Sequence, residues 1–389
     1  MVDATRLTAL LTALVRFNSV NPDLVTGAAG EREIATFLVE CCRRRGLEAE
    51  LEEVAPGRFN AVARLRGRGT APGLLFNGHI DTVGVDGMTI DPFGAEIRDG
   101  KLYGRGAFDM KGGVAAMVEA AASVAERGAP PGDVILMMVA DEEYGSVGTE
   151  AVVRDGLRGV AAAIVTEPTA LDVCIAHKGY AWVTLETVGR AAHGSRYEQG
   201  IDAIAHMGRV LAALERLERE TFPRRTHPLL GRPSVHASLI DGGIGLSTYP
   251  DRCRLEIERR TLPDETAADV SAEMEGMLAG LRAEDPQLQA AASLRMYRPG
   301  LEVAPDAPIV RAVRRAAEAV LHREPGLVGE LAWLDSALLS AAGIPTVVFG
   351  PRGEGAHAAV EWVDLDSVVA TADVLARVIS QWGDQDLEG

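Results

Sequence analysis

Apolar positions recur along the first part of the chain at periods that alternate between helix and strand. The first predicted helix has one apolar face, formed by Leu7, Leu10, Leu11, Leu14 and Val15. Further helices are predicted over 30–45 and 111–127, and strands over 47–54, 60–66, 73–77, 134–140 and 161–166. The run 134–140 is apolar throughout, which is typical of a strand buried on both faces. The alternation of strands and helices predicts a mixed or largely parallel sheet with helices on both sides.

The pattern changes near residue 179, where strands and helices follow in the order β-α-β-β-α-β. The strands are predicted over 180–188, 234–240, 252–258 and 290–297, and the helices over 200–220 and 267–283. This order is that of a ferredoxin-like α+β unit. An α/β pattern then resumes, with a helix over 307–321, a strand over 346–349 and a helix over 365–382. We therefore predict a mixed-sheet α/β domain, 1–178 and 297–389, interrupted by an inserted domain, 179–296.

The charge balance restricts the partners of the chain. Its 389 residues carry 56 Asp and Glu against 39 Lys and Arg, a net charge of −17. Such an acidic chain repels nucleic-acid phosphates and anionic lipid, so neither partner is expected. No apolar run reaches the roughly 20 residues of a membrane helix, and residues 1–6 do not resemble a secretion signal. The expected location is the cytoplasm, and the four cysteines are expected to be buried thiols.

Polar residues follow several of the predicted strands. His79 and Asp81 follow the strand over 73–77, and Asp109 lies in the glycine-rich stretch 104–113. Glu142 and Glu143 follow the apolar strand over 134–140. Each motif has a structural alternative: a hydrogen-bonded loop pair for His79 and Asp81, a helix cap for Asp109, and a solvated acidic loop for the glutamates.

Two more residues occupy similar positions. Glu167 follows the strand over 161–166, and His357 lies in a glycine-rich loop after the strand over 346–349. Sites in open α/β sheets usually lie at the carboxyl ends of the strands, so these residues are predicted to meet there. The predicted metal ligands are His79, Asp109, Glu143, Glu167 and His357.

Two imidazoles and three carboxylates suit a pair of divalent ions. Zn²⁺ is the first expectation, with Co²⁺ and Mn²⁺ as alternatives. If one carboxylate bridges the two ions, each ion also has one His and one further carboxylate, as in two-metal hydrolases. Glu142 adjoins the ligand Glu143 and is predicted to act as the general base for the attacking water.

These motifs resemble the metallohydrolase family that includes acetylornithine deacetylase, succinyl-diaminopimelate desuccinylase, aminoacylase and glutamate carboxypeptidase. The resemblance covers nearly the whole chain. In the α/β domain it rests on the segments 78–81, 104–113, 141–143, 167–169 and 355–357. In the inserted domain it rests on the segments 192–195, 200–204 and 260–263.

The resemblance implies roles for individual residues. It implies that Asp109 bridges the two metals, and that Asp81 orients His79. The remaining ligands would be divided between the metals, with His79 and Glu167 on one and Glu143 and His357 on the other. Glu142 would pass the proton of the attacking water to the leaving amine.

The inserted domain would be a lid and dimerisation domain. In it, His193 resembles the family's histidine that reaches across a dimer to the oxyanion. Arg260 resembles the family's arginine that binds a substrate carboxylate. A homodimer is therefore expected.

Two segments depart from the family pattern. Ser247 stands where many relatives have an asparagine, which leaves any substrate contact from that position open. The run Ala332-Trp333-Leu334-Asp335 stands where peptidase members often have Gly-Gly-Thr-Asp, which favours the deacylases over the glutamate carboxypeptidases.

The hypothesis from sequence is a two-metal hydrolase that cleaves the amide of N-acyl amino acids, in the manner of acetylornithine deacetylase or succinyl-diaminopimelate desuccinylase. A metal-dependent dipeptidase or carboxypeptidase using the same site is the alternative among enzymes. A catalytically silent binding protein of the same fold is the alternative outside them.

Overall fold

The structure is a computed structural model that describes residues 1–383, so the predicted segment 297–389 ends beyond the described residues. The α-helices are α1 (Ala4–Arg16), α2 (Arg32–Arg44), α3 (Gly112–Ala125), α4 (Val147–Asp155), α5 (Ala203–Arg216), α6 (Ala267–Glu284), α7 (Pro308–Leu321), α8 (Ser336–Ala341) and α9 (Leu365–Gln381). The first strands are β1 (Glu48–Ala55), β2 (Arg58–Leu65), β3 (Gly73–His79), β4 (Glu96–Arg98), β5 (Lys101–Tyr103), β6 (Val134–Val139), β7 (Val160–Val165) and β8 (Val173–His177). The later strands are β9 (Gly179–Val188), β10 (Ser234–Gly242), β11 (Arg252–Thr261), β12 (Gln289–Arg298), β13 (Leu301–Glu302), β14 (Leu327–Glu330), β15 (Thr346–Val348), β16 (Gly353–Glu354) and β17 (Trp362–Asp364).

The chain divides into two compact units. Unit 1 comprises Met1–Ile175, Val303–Val328 and the described residues from Leu334 onward, and unit 2 comprises Ala176–Glu302 with Gly329–Trp333. The predicted inserted domain, 179–296, lies within unit 2. Unit 2 begins three residues before that domain and ends six residues after it, and it also takes in the separate segment Gly329–Trp333.

Unit 1 is built around a mixed sheet in the order β1-β2-β6-β3-β7-β15-β8. The four central strands β6, β3, β7 and β15 are mutually parallel, and β1, β2 and β8 run antiparallel to their neighbours. Strands β3 and β6 are buried along their whole length, and α3 packs against α1 and α9. Because parallel strands end at one edge of a sheet, the segments after β3, β6, β7 and β15 begin close together.

A second, smaller sheet in unit 1 has the order β16-β17-β5-β4. Its strands are antiparallel and two or three residues long. It brings the loop before Asp109 beside the loop after His357, and the Gly104 N–H donates to the carbonyl of Glu361 at 3.1 Å. These strands were not predicted, because two or three residues do not establish a period.

Unit 2 has a four-stranded antiparallel sheet in the order β10-β11-β9-β12. One face of the sheet packs against α5 and α6 and forms a core that includes Val183, Leu185, Leu255 and Ile257. The connectivity strand-helix-strand-strand-helix-strand is that of a ferredoxin-like unit.

The mixed α/β fold predicted from the sequence is confirmed, with local differences at the helix ends. The helix predicted over 111–127 begins at Gly112, because Asp109 and Met110 in the preceding turn have non-helical backbone angles. The helix predicted over 200–220 begins at Ala203, where the Asp202 side chain caps it. Within residues 1–383, no helix is both long enough and apolar enough to span a bilayer.

Candidate metal centre

The five predicted metal ligands lie together at the carboxyl edge of the unit 1 sheet. They form two groups that share Asp109, and within each group the ligand atoms lie within 4.8 Å of one another. The first group is His79, Asp109 and Glu167, which we call the inner triad. The second is Asp109, Glu143 and His357, which we call the outer triad.

Two residues of the inner triad, His79 and Glu167, lie at or just after strand ends, and Asp109 lies in the turn before α3. His79 is the last residue of β3, and its Nε2 lies 3.0 Å from Asp109 Oδ1 and 3.4 Å from Glu167 Oε1. Its other ring nitrogen, Nδ1, is 3.0 Å from the main-chain oxygen of Asp81. Donation from Nδ1–H to this carbonyl fixes the tautomer and leaves the Nε2 lone pair facing the carboxylates, as a metal-binding histidine requires.

The outer triad is set on loops. His357 Nε2 lies 2.9 Å from Glu143 Oε2 and 3.4 Å from Asp109 Oδ2. His357 has a left-handed backbone, with φ of 59°, and its side chain is 57% exposed, whereas that of His79 is 1% exposed. The two triads therefore differ in their access to solvent.

The electrostatics of the cluster favour a bound cation. Burial raises the pKa of Glu167 to about 7, and the charge of Asp109 adds to the shift. The same two causes raise the pKa of Glu143. Hydrogen bonds to Asp109 and Glu143 raise the pKa of His357 to about 10. Without a cation, these buried carboxylates and His357 therefore tend to keep their protons. A divalent cation would take the place of those protons and neutralise the carboxylates.

Glu142 lies beside this cluster without belonging to either triad. Burial raises the pKa of its carboxyl well above the usual range, and the charges of Asp335 and Glu167 raise it further against the opposing effect of His79. A carboxylate with a raised pKa next to a metal site suits a group that accepts and returns a proton.

Asp81 is buried behind the site, and its contacts differ from the expected ones. Its carboxylate accepts the main-chain N–H groups of Glu142 at 3.2 Å and Glu143 at 3.3 Å, and the side-chain amide of Asn21 at 2.7 Å. His79 Nδ1 is 3.6 Å from this carboxylate and closer to the Asp81 main-chain oxygen. The side chain therefore holds the loop of the two glutamates, and the main chain of the same residue contacts His79.

Glu361 was not identified from the sequence. Its buried carboxylate accepts the main-chain N–H groups of Gly106, Phe108 and Asp109 at 2.9–3.0 Å, and Arg105 Nη1 at 2.7 Å. Arg105 Nη2 also donates to the carbonyl of Ala358 at 3.1 Å. Glu361 thus ties the Asp109 turn to the loop that follows His357. Glu361 lies four positions after His357, and this proximity was the available signal.

Asp335 is a second residue whose position the sequence did not indicate. Its Oδ2 accepts from the Thr149 hydroxyl at 2.5 Å, and that hydroxyl accepts from the Asn77 amide at 3.1 Å. Asn77 lies on β3, two residues before His79. Burial raises the pKa of Asp335 to about 6. The network links α8, α4 and β3 behind the metal ligands.

The remaining predicted site residues, His193 and Arg260, belong to unit 2. His193 is exposed, and its Nδ1 lies 2.8 Å from the Ser195 hydroxyl. Arg260 is on β11, where its Nε donates to Glu258 at 2.7 Å and its guanidinium lies over the Tyr180 ring at 5.4 Å. Ser247 contributes its main-chain oxygen to the Gly194 N–H at 2.7 Å.

The donor set fits two divalent ions of the Zn²⁺, Co²⁺ or Mn²⁺ type. Each triad offers one imidazole nitrogen and carboxylates from two residues, with Asp109 common to both. Imidazole and carboxylate suit ions of this kind, while thiolates would select softer ones. The four cysteines are buried free thiols elsewhere in the chain and belong to neither triad.

Comparison with known proteins places the chain in a family. The model of peptidase family M20/M25/M40 matches residues 75–381. The chain is 30% identical over 386 residues to an acetylornithine deacetylase of Myxococcus xanthus, with 97% of each chain covered. It is 29% identical over 408 residues to an N-formyl-4-amino-5-aminomethyl-2-methylpyrimidine deformylase of Bacillus subtilis (strain 168), which covers 97% of this chain and 94% of that protein.

A solved structure has the same fold. The aminopeptidase PepT from Bacillus cereus ATCC 10987 superposes with a TM-score of 0.79 at 23% identity, covering 98% of this chain and 99% of that one. The chain belongs to peptidase family M20/M25/M40, as the sequence motifs indicated, and it is a metal-dependent amidohydrolase. The catalytically silent alternative is not supported.

Proposed function

We propose that this member of the M20/M25/M40 family hydrolyses the amide bond of N-acyl amino acids with two divalent ions bound at the inner and outer triads. The observation that carries the proposal is the sharing of Asp109 between two ligand groups, with Glu142 buried beside them. The acetylornithine deacetylase relative supports an N-acyl amino acid as substrate, and acetylornithine is the first compound to test.

His79, Glu167 and Asp109 would hold one ion, and Asp109, Glu143 and His357 the other. When bound, such a pair of ions supplies a nucleophile from water at neutral pH and polarises the carbonyl of the substrate. Zn²⁺ is the proposed metal because imidazole and carboxylate ligands are those it takes in hydrolases.

The residues of the chain would move the proton and position the groups. Glu142 accepts the proton of the attacking water and later donates it to the departing amine, which needs a pKa raised toward neutrality. Asp81 keeps Glu142 in place through its main-chain N–H, and Glu361 keeps Asp109 in place. This arrangement places the base on a loop fixed by buried hydrogen bonds.

Two residues of unit 2 would bind the substrate. We propose that His193 stabilises the oxyanion and that Arg260 binds a carboxylate, for which the planar guanidinium is suited. Loss of one oxyanion donor typically costs about 10²-fold or more in kcat. His193→Ala is therefore expected to lower kcat far more than it raises KM in steady-state assays, and an unchanged kcat would contradict the assignment.

The function is tested by amide hydrolysis across N-acetyl, N-succinyl and N-formyl amino acids, with simple dipeptides alongside. Purified protein is assayed with Zn²⁺ or Co²⁺, and again after chelation. Metal-dependent release of amine from an N-acyl amino acid is the expected result. Protein that holds two metals per chain and releases amine from none of these amides would contradict the proposal.

A peptidase is the second candidate. It is favoured by the family description and by the aminopeptidase that shares the fold. Trp333 and Leu334 argue against it, since these bulky apolar residues stand where peptidase members often have a glycine and a threonine. Cleavage confined to the dipeptides of the panel would establish this alternative.

A homodimer through unit 2 is also proposed. The edge strand β10 carries the exposed apolar residues Leu239 and Ile240, and Ile244 and Leu246 follow it. Exposed apolar edge strands pair readily with a second chain. Light scattering on a size-exclusion column is expected to give twice the mass of 41.2 kDa, and a mass of one chain would contradict it. A cytoplasmic location remains a prediction from the sequence.

A further inference from the structure

The segment between β6 and α4, which contains the proposed general base, is held at both ends by one residue of β2. This segment, 140–148, runs from the end of β6 into the first turn of α4, and we call it the glutamate loop. The buried side chain of Asn60 accepts the main-chain N–H of Ala140 at 3.0 Å and donates to the main-chain oxygen of Gly148 at 3.0 Å. Strand β2 therefore fixes where the loop begins and where it ends.

Asp141 gives the glutamate loop its shape. Its backbone is left-handed, with φ of 72°, and its main-chain oxygen accepts the N–H of Gly145 at 3.1 Å. Its side-chain Oδ2 accepts the N–H of Val147, in the first turn of α4, at 3.3 Å. A left-handed backbone is uncommon outside glycine and persists where surrounding contacts hold it. The position of the next residue, Glu142, therefore depends on what holds the Asp141 side chain.

Arg58 and Asn21 hold the Asp141 carboxylate from the side of β2. Arg58 Nη1 donates to Asp141 Oδ1 at 2.9 Å, and the Asn21 amide donates to the same oxygen at 3.0 Å. The Asn21 amide also donates to Asp81 Oδ2 at 2.7 Å. Asp81 in turn accepts the main-chain N–H of Glu142 at 3.2 Å. Two routes of direct contacts, one through each aspartate, thus lead to the general base.

Arg58 is itself fixed by a buried ion pair. Its side chain is 7% exposed, its Nε donates to Glu31 Oε2 at 3.1 Å, and its Nη2 donates to Glu31 Oε1. The Glu31 side chain is fully buried, and Asp23 accepts from Arg58 Nη1 at the edge of the cluster. The two-point contact with Glu31 fixes the guanidinium plane and directs Nη1 toward Asp141. Because a guanidinium stays charged, one fixed cation offsets the buried carboxylates around it.

We propose that Arg58 is a positioning residue that holds the general base, Glu142, through the glutamate loop. The inference rests on the proposed function, because it requires Glu142 to accept a proton. In the metal-loaded protein, the neighbouring Glu143 would be held by its ion as well as by the loop. Glu142 belongs to neither triad and depends on the loop. Substitution of Arg58 should therefore impair proton transfer more than metal binding.

The test measures kcat, KM and bound Zn²⁺ for Arg58→Met, which removes the charge and keeps the length of the side chain. The substrate is the amide of the panel above that the wild type hydrolyses fastest. Small displacements of a reacting group cost up to about 10²-fold in rate, so kcat is expected to fall by about 10–100-fold. KM should change by less than about threefold, and two ions per chain should remain.

The same substitution in a Glu142→Gln background separates positioning from a general structural role. If Arg58 acts through Glu142, its loss should lower the residual kcat of Glu142→Gln by less than about threefold, because the group that it positions is already gone. A general loss of folded protein would lower kcat by the same factor in both backgrounds. All variants are assayed below their thermal midpoints.

Asn21→Ala is the second variant, because it changes no charge in the buried cluster. It removes the amide that binds both Asp81 and Asp141, so the same pattern of kcat, KM and bound metal is expected. The matched control is Arg64→Met, which changes an arginine of the same strand. Its side chain is 40% exposed and lies 3.7 Å from Asp133, and the variant should behave as the wild type.

The outcomes separate this inference from the proposed function. An active wild type in which Arg58→Met and Asn21→Ala match the control would overturn the inference alone. Loss of an ion from these variants, or an equal fall of kcat in both backgrounds, would also overturn it and leave the hydrolase standing. A metal-loaded wild type that hydrolyses none of the amides would refute the proposed function, and with it the base that Arg58 is proposed to position.

Discussion

The two units place their titratable side chains in opposite ways. In unit 1, carboxylates and imidazoles are buried together at the ends of β3, β6 and β7, where burial raises the pKa of Glu167 to about 7. In unit 2, the charged residues of the sheet are paired across strands or stacked on rings, and the buried His177 has its pKa lowered to about 4 by desolvation. Like charges buried together require a cation, whereas paired or neutral groups do not.

The two triads of unit 1 differ in a related way. Strands β3 and β7 position His79 and Glu167 of the inner triad, while the outer triad depends on the His357 loop and on the Arg105–Glu361 bond that anchors it. We therefore expect the inner ion to be bound more tightly and the outer ion to be more sensitive to changes in the loop.

The largest effect is expected from Asp109, which belongs to both triads. Asp109→Ala should remove both ions and all metal-dependent hydrolysis, because each triad loses a carboxylate that the other residues do not replace. His357→Ala, which changes the outer triad alone, should leave one ion per chain. Metal analysis of dialysed protein distinguishes the two variants. Two ions per chain in Asp109→Ala would contradict the assignment of Asp109 as the shared ligand.

Glu142→Gln tests whether this buried carboxylate, which lies outside the triads, transfers protons and does not bind metal. Turnover should fall by about 10²–10⁴-fold, since the proton transfer loses its base, while both ions remain. Steady-state kinetics measures the fall in turnover, and metal analysis shows whether both ions remain. The control is Glu40→Gln, an exposed glutamate of α2, which should behave as the wild type. Loss of an ion from Glu142→Gln would mean that Glu142 is a ligand.

Glu361→Gln tests whether the two triads differ in how tightly they bind their ions. Its carboxylate accepts three main-chain N–H groups and Arg105, and an amide cannot accept at both of its positions. Changes behind metal ligands typically cost 10–100-fold in affinity. Glu361 holds Asp109, which both triads share, so both ions should weaken; the outer ion should weaken more, because Arg105 also ties Glu361 to the His357 loop. Competition with a chelator measures both constants. An equal loss of affinity for the inner and outer ions would contradict the proposed difference between the two triads.

The smallest effect concerns His177 in unit 2. Its folded pKa of about 4 lies below the unfolded value of 6.5, so the unfolded chain takes up the proton first. The stability contribution is complete above pH 6.5 and is lost as the pH falls toward 4, amounting to about 2 kcal/mol by pH 5.

His177→Gln removes this titration. The thermal midpoint of the wild type should fall more steeply between about pH 8 and pH 5 than that of the variant, whatever their difference at neutral pH. Parallel curves would indicate that His177 does not remain neutral in the folded protein.

The sequence predicted the fold and the position of the ligands for a physical reason. Apolar runs such as β6 are typical of strands buried on both faces, and polar residues directly after parallel strands lie at one edge of the sheet. Five candidate ligands and the candidate base Glu142 were predicted in this way.

The supporting residues could not be found from the sequence, because their roles depend on contacts between distant segments. Glu361 acts on a turn 252 residues earlier, and Asp335 contacts Thr149 186 residues away. The strands β16, β17, β5 and β4, which bring the Asp109 and His357 loops together, are too short to have a period.

We propose that two ions bound through a shared Asp109 make the chain an amide hydrolase. The most direct test titrates metal-free protein with Zn²⁺, following binding by calorimetry and hydrolysis of an N-acyl amino acid in parallel. We expect two equivalents of Zn²⁺ to bind per chain, with full activity reached as the second equivalent is bound. Saturation at one equivalent, or hydrolysis that persists in the chelated protein, would contradict it.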